Sequence, residues 1–162
     1  MNKEIKSYRN NNLFDGLKGQ NLISPFVSEF PKFNPKIRIA ILASGDGSNF
    51  DQIIKSIQTN KLNAEISILI VNNPHCLAIQ KAIKNNISYV ILNHRDCKSR
   101  SDHDKLIINK LEEFSVELVV MAGWMRIVGS DLINKFKNRI INIHPSLLPS
   151  FKGINAIQQA ID

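Results

Sequence analysis

A chain of 162 residues, of which 43% are hydrophobic, has the size and composition of one globular domain with a buried core. The formal net charge of +7 favours anionic ligands. Its Lys and Arg residues are scattered, so the basic block of a nucleic-acid-binding tail is missing and no nucleic-acid partner is predicted. No segment approaches the roughly 18 consecutive apolar residues of a membrane span, so no membrane association is predicted.

The cysteines do not indicate a disulfide framework or a metal site. Cys76 and Cys97 are the only two, and each has one histidine nearby, His75 and His94. Neither pair has the short paired spacing of common structural zinc sites, so we predict no metal. The N-terminus lacks the apolar core of a signal peptide, which favours a reducing, cytoplasmic setting.

Residues 1–36 differ in composition from the rest of the chain. They are rich in Asn, Lys, Gly and Pro and show no sustained hydrophobic period. We predict a poorly ordered or surface-draped extension here, followed by one folded domain over residues 37–162. A targeting peptide is the alternative, although Glu4, Asp15 and Glu29 argue against it because transit peptides are poor in acidic residues.

From residue 37 onward, short apolar runs alternate with segments of helical periodicity. Strands are predicted at 37–43, 66–71, 89–92, 118–122 and 140–143. Helices are predicted after residue 49, around 77–83, around residues 106–114 and at 132–136, with a polar loop at 93–101. Alternation of this kind is typical of βαβ units. The predicted fold class is therefore α/β, with an open, mostly parallel Rossmann-like sheet covered by helices on both faces.

The first polar cluster, residues 45–49, joins the first strand to the first helix. Its small residues allow close approach of the backbone, and a helix N-terminus offers free N–H groups to a phosphate. A plain tight turn with Ser48 or Asn49 as N-cap is the alternative. A dinucleotide is disfavoured, because Phe50 replaces the third glycine and Asn72 and Asn73 stand where an acidic ribose ligand would be.

The second cluster follows the last predicted strand. If the extended conformation continues, Asn142 and His144 project to one side and could converge on one reacting atom, while Ile143 faces apolar packing. A polar pair that merely caps the strand is the alternative. Residues 145–153 contain two prolines and a glycine, which predicts a stiff irregular loop that could form a wall of a site.

The third cluster follows the strand at 118–122. Residues 121–127 are apolar around Gly123, and they could hold a flat aromatic ligand through main-chain hydrogen bonds. A plain core segment is the alternative. Arg100, in the predicted loop after the third strand, could pair with an anion or could simply be a solvated charge.

Three motifs together, ILASGDGSNF, MAGWMRIV and INIHPSLLPSFKG, resemble those of phosphoribosylglycinamide formyltransferase, the small folate-dependent form. The resemblance runs from about residue 37 to residue 162. It implies a phosphate site for glycinamide ribotide at Gly47, Ser48 and Asn49. It implies contacts with the folate from Arg100, Met125, Arg126, Ile127, Val128 and Asn142, and catalysis by Asn142 and His144.

The resemblance also implies a reaction of purine biosynthesis. The amine of 5-phosphoribosylglycinamide attacks the formyl carbon of the cosubstrate 10-formyltetrahydrofolate, and a tetrahedral oxyanion forms. The residues agree with this chemistry, because the Asn142 amide and a protonated His144 could stabilise the oxyanion. His144 could also carry a proton to the leaving nitrogen, since imidazole titrates near neutrality. Neither a metal nor a covalent intermediate is required.

The sequence departs from the family pattern at its C-terminus. The family's third catalytic residue is an aspartate farther along the chain, and Asp162 is too near His144 in sequence to replace it. We therefore expect a C-terminally truncated chain that lacks the closing elements of the fold. Formyltetrahydrofolate deformylase, methionyl-tRNA formyltransferase and an inactive ligand-binding fragment are the alternatives. The sequence carries no signal for the oligomeric state.

Overall fold

The computed structural model describes residues 36–144, 146, 150 and 156–161. The predicted extension lies outside the described residues except for Lys36, and so does most of the predicted loop at 145–153. Within the described part, no helix is long and apolar enough to cross a membrane.

Strands and helices alternate along the described chain. The strands are β1 (Ile37–Ala43), β2 (Ala64–Val71), β3 (Tyr89–Ile91), β4 (Leu118–Met121) and β5 (Ile140–Asn142). The helices are α1 (Ser48–Gln58), α2 (Ala78–Lys84), α3 (Arg100–Glu113), α4 (Ser130–Lys135) and α5 (Ala156–Ile161), and a short 3₁₀ helix spans His94–Asp96. The predicted elements are all present, and their boundaries differ by a few residues.

The strands form one parallel sheet in the order β3-β2-β1-β4-β5. The chain first builds outward from β1 through β2 to β3, then crosses back and adds β4 and β5 on the other side. The direction of strand addition therefore reverses between β1 and β4. In open α/β sheets, ligands bind beyond the carboxyl ends of the strands at such a reversal.

Side chains that alternate along β1 divide the interior into two cores. Ile39 and Ile41 pack on one face with Phe50 and Ile54 of α1 and with residues of α2. On the other face, Ala40 and Leu42 join a cluster that includes residues of α3 and α4. A central parallel strand with both faces buried is continuously apolar, as β1 is from Ile39 to Ala43, beyond the partly buried Arg38. The predicted α/β sheet with helices on both faces is confirmed.

One irregularity interrupts the pairing of β1 with β2. Ile39 pairs with Ile66, whereas Ala40 pairs with Ile68, so Ser67 is an extra residue on β2. Ile66 packs against the first core and Ile68 belongs to the second. Such a β-bulge adds one unpaired residue to one strand. The buried Ser67 hydroxyl has no hydrogen-bond partner within the part of the chain that is described.

Helix α3 begins earlier than predicted. Ser99 is its N-cap, because the Ser99 side chain accepts a hydrogen bond from the Asp102 backbone N–H at 3.1 Å. Arg100 is thus the first helical residue, and the prediction that it lies in a loop is wrong. A Ser followed three residues later by an acidic residue is a helix-start signal that overrides the polar composition of the segment.

Candidate functional site

The three predicted clusters follow three neighbouring strands of the sheet. Residues 45–49 follow β1, residues 122–127 follow β4 and His144 follows β5. Leu42 pairs with Met121, and Met121 pairs with Asn142. The sheet register therefore brings the clusters to one edge, beside the point where strand addition reverses.

The turn after β1 requires glycine at position 47. Gly47 adopts the left-handed conformation (φ 71°, ψ 33°) and is the N-cap of α1. A Cβ atom there would lie 2.8 Å from the Cβ of Ala78, so the turn packs directly against α2. Ser48 is the first residue of α1, and neither it nor Asn49 is the N-cap that the alternative interpretation expected.

Charged side chains of both signs surround this turn. Asp46 Oδ1 accepts a hydrogen bond from the Ser48 backbone N–H at 3.1 Å, and Lys81 Nζ donates to the Gly47 carbonyl at 3.1 Å. The hydrogen bond from Lys55 holds the pKa of Asp51 below its ordinary value. Desolvation of the carboxyl group opposes this lowering, and the positive charges of Lys55, Lys81 and Lys84 add to it. The Lys81 ammonium group therefore brings a positive charge to the turn from α2.

Side chains of the segment after β4 are buried as far as Trp124 and become exposed beyond it. Met121, Ala122 and Trp124 are buried, as the plain-core alternative expected for this segment. Beyond them the apolar side chains turn outward: Met125 is 78% exposed and Ile127 is 72% exposed. Large apolar side chains at this exposure, beside the sheet edge, are available to line a ligand.

Hydrogen bonds join this segment to the end of β1. The Ser44 backbone N–H donates to the Gly123 carbonyl at 3.1 Å, and the Ser44 hydroxyl accepts from the Met125 N–H at 2.9 Å. Gly123 has a positive φ of 80°, a conformation that favours glycine. Ser44, which directly precedes the first predicted cluster, thus contacts the third cluster.

Two stacked aromatic rings join the start of this segment to α3. The rings of Trp124 and His103 are stacked, with centroids 6.0 Å apart and an interplanar angle of 4°. His103 is buried on α3, and its Nε2 lies 2.8 Å from the Leu92 carbonyl oxygen. The stack fixes the start of the segment against α3.

Asn142 and His144 lie where predicted along the sheet edge, but not on one continuous strand. β5 ends at Asn142, and His144 lies two residues beyond it, where its carbonyl accepts the Ser146 N–H at 2.9 Å. Both side chains are exposed. Ile143 is 71% exposed, so the prediction that it faces apolar packing is wrong. The short edge strand leaves it without a covering element among the described residues.

Arg100 is exposed on the first turn of α3. Asp104, one turn farther along the same helix, is 2% exposed, and its Oδ2 accepts the Gly129 N–H at 2.6 Å. Gly129 directly follows the segment 125–128. The helix that carries Arg100 is therefore tied to the end of the segment after β4.

Sequence reasoning missed Ser44 and Lys81, which contact the clusters, and Asp104, which binds Gly129 just beyond the third cluster. Ser44 could have been noticed because a hydroxyl directly follows the apolar run of β1. Lys81 and Asp104 have the sequence signature of ordinary surface charges on helices, and only the packing of α2 and α3 reveals their partners.

No group of three or more His, Cys, Asp or Glu side chains in the described part could hold a metal ion. Cys76 is buried, Cys97 is partly buried, and neither is bonded to another cysteine.

Comparisons with known proteins agree on one family. The model of the family described as "Formyl transferase" matches residues 37–162. The human trifunctional purine biosynthetic protein adenosine-3 is 40% identical over 146 residues, which cover 90% of this chain and 14% of that protein. The bovine protein of the same name is 42% identical over 127 residues, covering 78% of this chain and 13% of its own length.

Solved structures give the same result. Phosphoribosylglycinamide formyltransferase from Bacillus halodurans superposes with a TM-score of 0.74 and 38% identity, over 76% of this chain and 64% of its own. Glycinamide ribonucleotide transformylase 1 from Symbiobacterium toebii gives a TM-score of 0.75 and 30% identity, over 83% and 65%. This chain therefore spans just under two thirds of these enzymes. The resemblance that the three motifs predicted is confirmed.

Proposed function

Because the chain belongs to the formyl transferase family, we propose that it transfers the formyl group of 10-formyltetrahydrofolate to the amine of 5-phosphoribosylglycinamide, a step of purine biosynthesis. The relatives that are similar over most of its length are named for this activity or for purine biosynthesis. The observation that carries the proposal is the placement of all three motif clusters at the carboxyl ends of β1, β4 and β5.

The turn at Gly47, Ser48 and Asn49 is the proposed phosphate site of the ribotide. The backbone can approach an anion closely at Gly47, which has no Cβ, and the first turn of α1 presents N–H groups to it. Lys81 adds a positive charge at the Gly47 carbonyl. Asp46 opposes binding, because its carboxylate already accepts the Ser48 N–H and must yield to the phosphate.

The segment Met125, Arg126, Ile127 and Val128 is the proposed folate side, together with Arg100. The exposed side chains of Met125 and Ile127 fit a flat aromatic ring, which needs apolar contacts on its faces. Arg100 fits the anionic tail of a folate, because its guanidinium is exposed and permanently charged. The hydrogen bonds of Ser44 to Gly123 and Met125 support this arrangement, because they join the end of β1, next to the proposed phosphate turn, to the start of the proposed folate side.

Asn142 and His144 are the proposed catalytic residues. The ribotide amine forms a bond to the formyl carbon, and the carbonyl electrons move to the oxygen. The Asn142 amide and protonated His144 donate hydrogen bonds to that oxyanion, which is stabilised most when its donors are already in place. The oxyanion then re-forms the carbonyl and expels the folate nitrogen, while His144 relays a proton from the amine to that nitrogen.

The experiment offers 10-formyltetrahydrofolate with three acceptors: glycinamide ribotide, water alone and methionyl-tRNA. Formylated ribotide is the expected product. Formate release without dependence on the ribotide, or formylation of the tRNA, would overturn the proposal in favour of a different formyl-group enzyme.

Two variants sharpen this test. His144→Ala should lower the turnover of ribotide formylation by about two to four orders of magnitude, which is the usual contribution of a general acid–base group. The matched control is His75→Ala, since His75 is also exposed but follows β2 and belongs to none of the three clusters. Equal losses from the two variants would contradict the role of His144.

A further inference from the structure

We infer that Asp104 is a positioning residue for the folate side, through its hydrogen bond to the Gly129 N–H. The inference rests on the proposed function, because it concerns the segment 125–128 that we assign to the folate. Asp104 does not belong to the proposed binding residues and lies 2% exposed on α3. It acts on a ligand only through the segment that it holds.

The segment 125–128 is held by side chains at both of its ends. At its start, the Ser44 hydroxyl accepts the Met125 N–H at 2.9 Å. At its finish, Asp104 Oδ2 accepts the N–H of Gly129, the next residue, at 2.6 Å. The side chains of Met125, Arg126 and Ile127 are exposed, and Val128 packs against the second core. Among the described residues, the two acceptors are the side chains that hold the backbone at the two ends of the segment.

The contact at Gly129 is too close to be incidental. A Cβ atom on Gly129 would lie 2.5 Å from Asp104 Oδ2, and apart from its chain neighbours only the Asp104 carboxyl group, among the described residues, lies within 4 Å of that position. The Gly129 backbone (φ −88°, ψ 175°) is open to any residue, so the carboxylate and not the backbone requires a glycine. A buried carboxylate needs a partner, and a charge-assisted bond to a backbone N–H is among the stronger ones.

Helix α3 carries both Asp104, which binds Gly129, and Arg100. Arg100 and Asp104 are four residues apart, so they lie on neighbouring turns of one side of α3. Anchoring Asp104 to Gly129 therefore fixes the spacing between the Arg100 guanidinium and the apolar side chains at Met125 and Ile127. A folate that contacts both would depend on that spacing, whereas the ribotide phosphate at Gly47 would not.

The test measures two things in Asp104→Ala: hydrogen exchange of the Gly129 amide without ligand, and dissociation constants for 10-formyltetrahydrofolate and for glycinamide ribotide. We expect faster amide exchange and a folate constant raised about tenfold or more, as for a lost charge-assisted hydrogen bond, with the ribotide constant unchanged. Asp104→Asn keeps an acceptor oxygen and should recover part of the folate affinity. Ser101→Ala is the matched control, because it removes an exposed α3–α4 hydrogen bond to Asp131 without touching the segment.

A second variant pair keeps the result independent of folding losses. Gly129→Ala should weaken folate binding in the wild-type background, where the new methyl group meets the carboxylate, but not further in Asp104→Ala, where that obstacle is gone. Additive effects, or folate and ribotide constants that rise together, would overturn the positioning role. If the wild-type chain binds ribotide but no formyl folate, the proposed function fails and this inference fails with it. If the Gly129 amide of Asp104→Ala exchanges faster but folate affinity is unchanged, the inference about Asp104 is refuted while the proposed function stands.

Discussion

Alanine at three glycines of the site should lower the free energy of unfolding by different amounts. Comparing the three variants separates backbone strain from steric clash. At Gly45 no described residue lies within 4 Å of the Cβ position, and its φ is not in the left-handed region. Gly123 likewise has no neighbour among the described residues at its Cβ position, but it has a φ of 80°. Gly47 has a φ of 71° and would place its Cβ 2.8 Å from the Ala78 Cβ and 3.0 Å from the Ala78 Cα.

The magnitudes follow from those differences. Gly45→Ala should change the free energy of unfolding by less than about 0.5 kcal/mol, as for a surface substitution. Gly123→Ala should cost about 1–2 kcal/mol, the left-handed penalty of a residue with a Cβ. Gly47→Ala should cost about 2–5 kcal/mol, because overpacking adds about 1–3 kcal/mol to that penalty.

The assay is urea unfolding of the three variants, combined with titration of glycinamide ribotide. Only Gly47→Ala should also weaken binding of the phosphorylated ligand relative to the same ligand without its phosphate. Ala78→Gly in the Gly47→Ala background removes the nearer of the two close contacts and should restore part of the stability. A Gly47→Ala variant no less stable than Gly123→Ala would refute the clash that this reasoning depends on.

Three further predictions concern charge. Arg100→Ala should raise the Michaelis constant for the formyl folate more than that for the ribotide. The control is Lys98→Ala, at an exposed lysine near Arg100, which should change neither constant. A larger change in the ribotide constant of Arg100→Ala would mean that the two sides are assigned backwards. Asp46→Asn should tighten ribotide binding about two- to fivefold by removing a competing negative charge, and weaker binding would contradict the phosphate site. NMR titration should find the pKa of Asp51 below 3.8. The small stabilising effect of this carboxylate is then present above its unfolded pKa and is lost as pH falls through the lowered value. Lys55→Gln should raise the pKa of Asp51, and an unchanged pKa would contradict the hydrogen bond as the main cause.

The sheet could be predicted from the sequence because its strands are nearly all apolar. A parallel strand buried on both faces needs hydrophobic side chains at every position, and β1 from Ile39 onward and the end of β2 satisfy this need with Ile, Leu, Val and Ala. The edge strand β5 was also found, but the exposure of Ile143 was not, because an apolar residue gives no sign of whether a covering element lies beside it.

Helix α3 shows why the remaining contacts could not be predicted. The apolar periodicity included Leu106, yet Leu106 is 45% exposed, while His103 and Asp104 are buried on the side of Ile107 and Leu111. A buried imidazole and carboxylate break the hydrophobic pattern, because their place in the interior depends on partners far away in sequence, Trp124 and Gly129.

The extra residue at Ser67 bears on how sequences of this fold are to be compared. An insertion or deletion inside a buried strand ordinarily turns every following side chain to the opposite face. In β2 the residues before Ser67 and those after it already follow opposite alternations, with Ile66 packed against one core and Ile68 in the other. Removing Ser67 would therefore leave one regular alternation, and Val71 would still pair with Ala43. The length of β2 can thus vary by one residue without moving the edge that carries the chemistry, and a single gap opposite Ser67 is the alignment that keeps both cores in register.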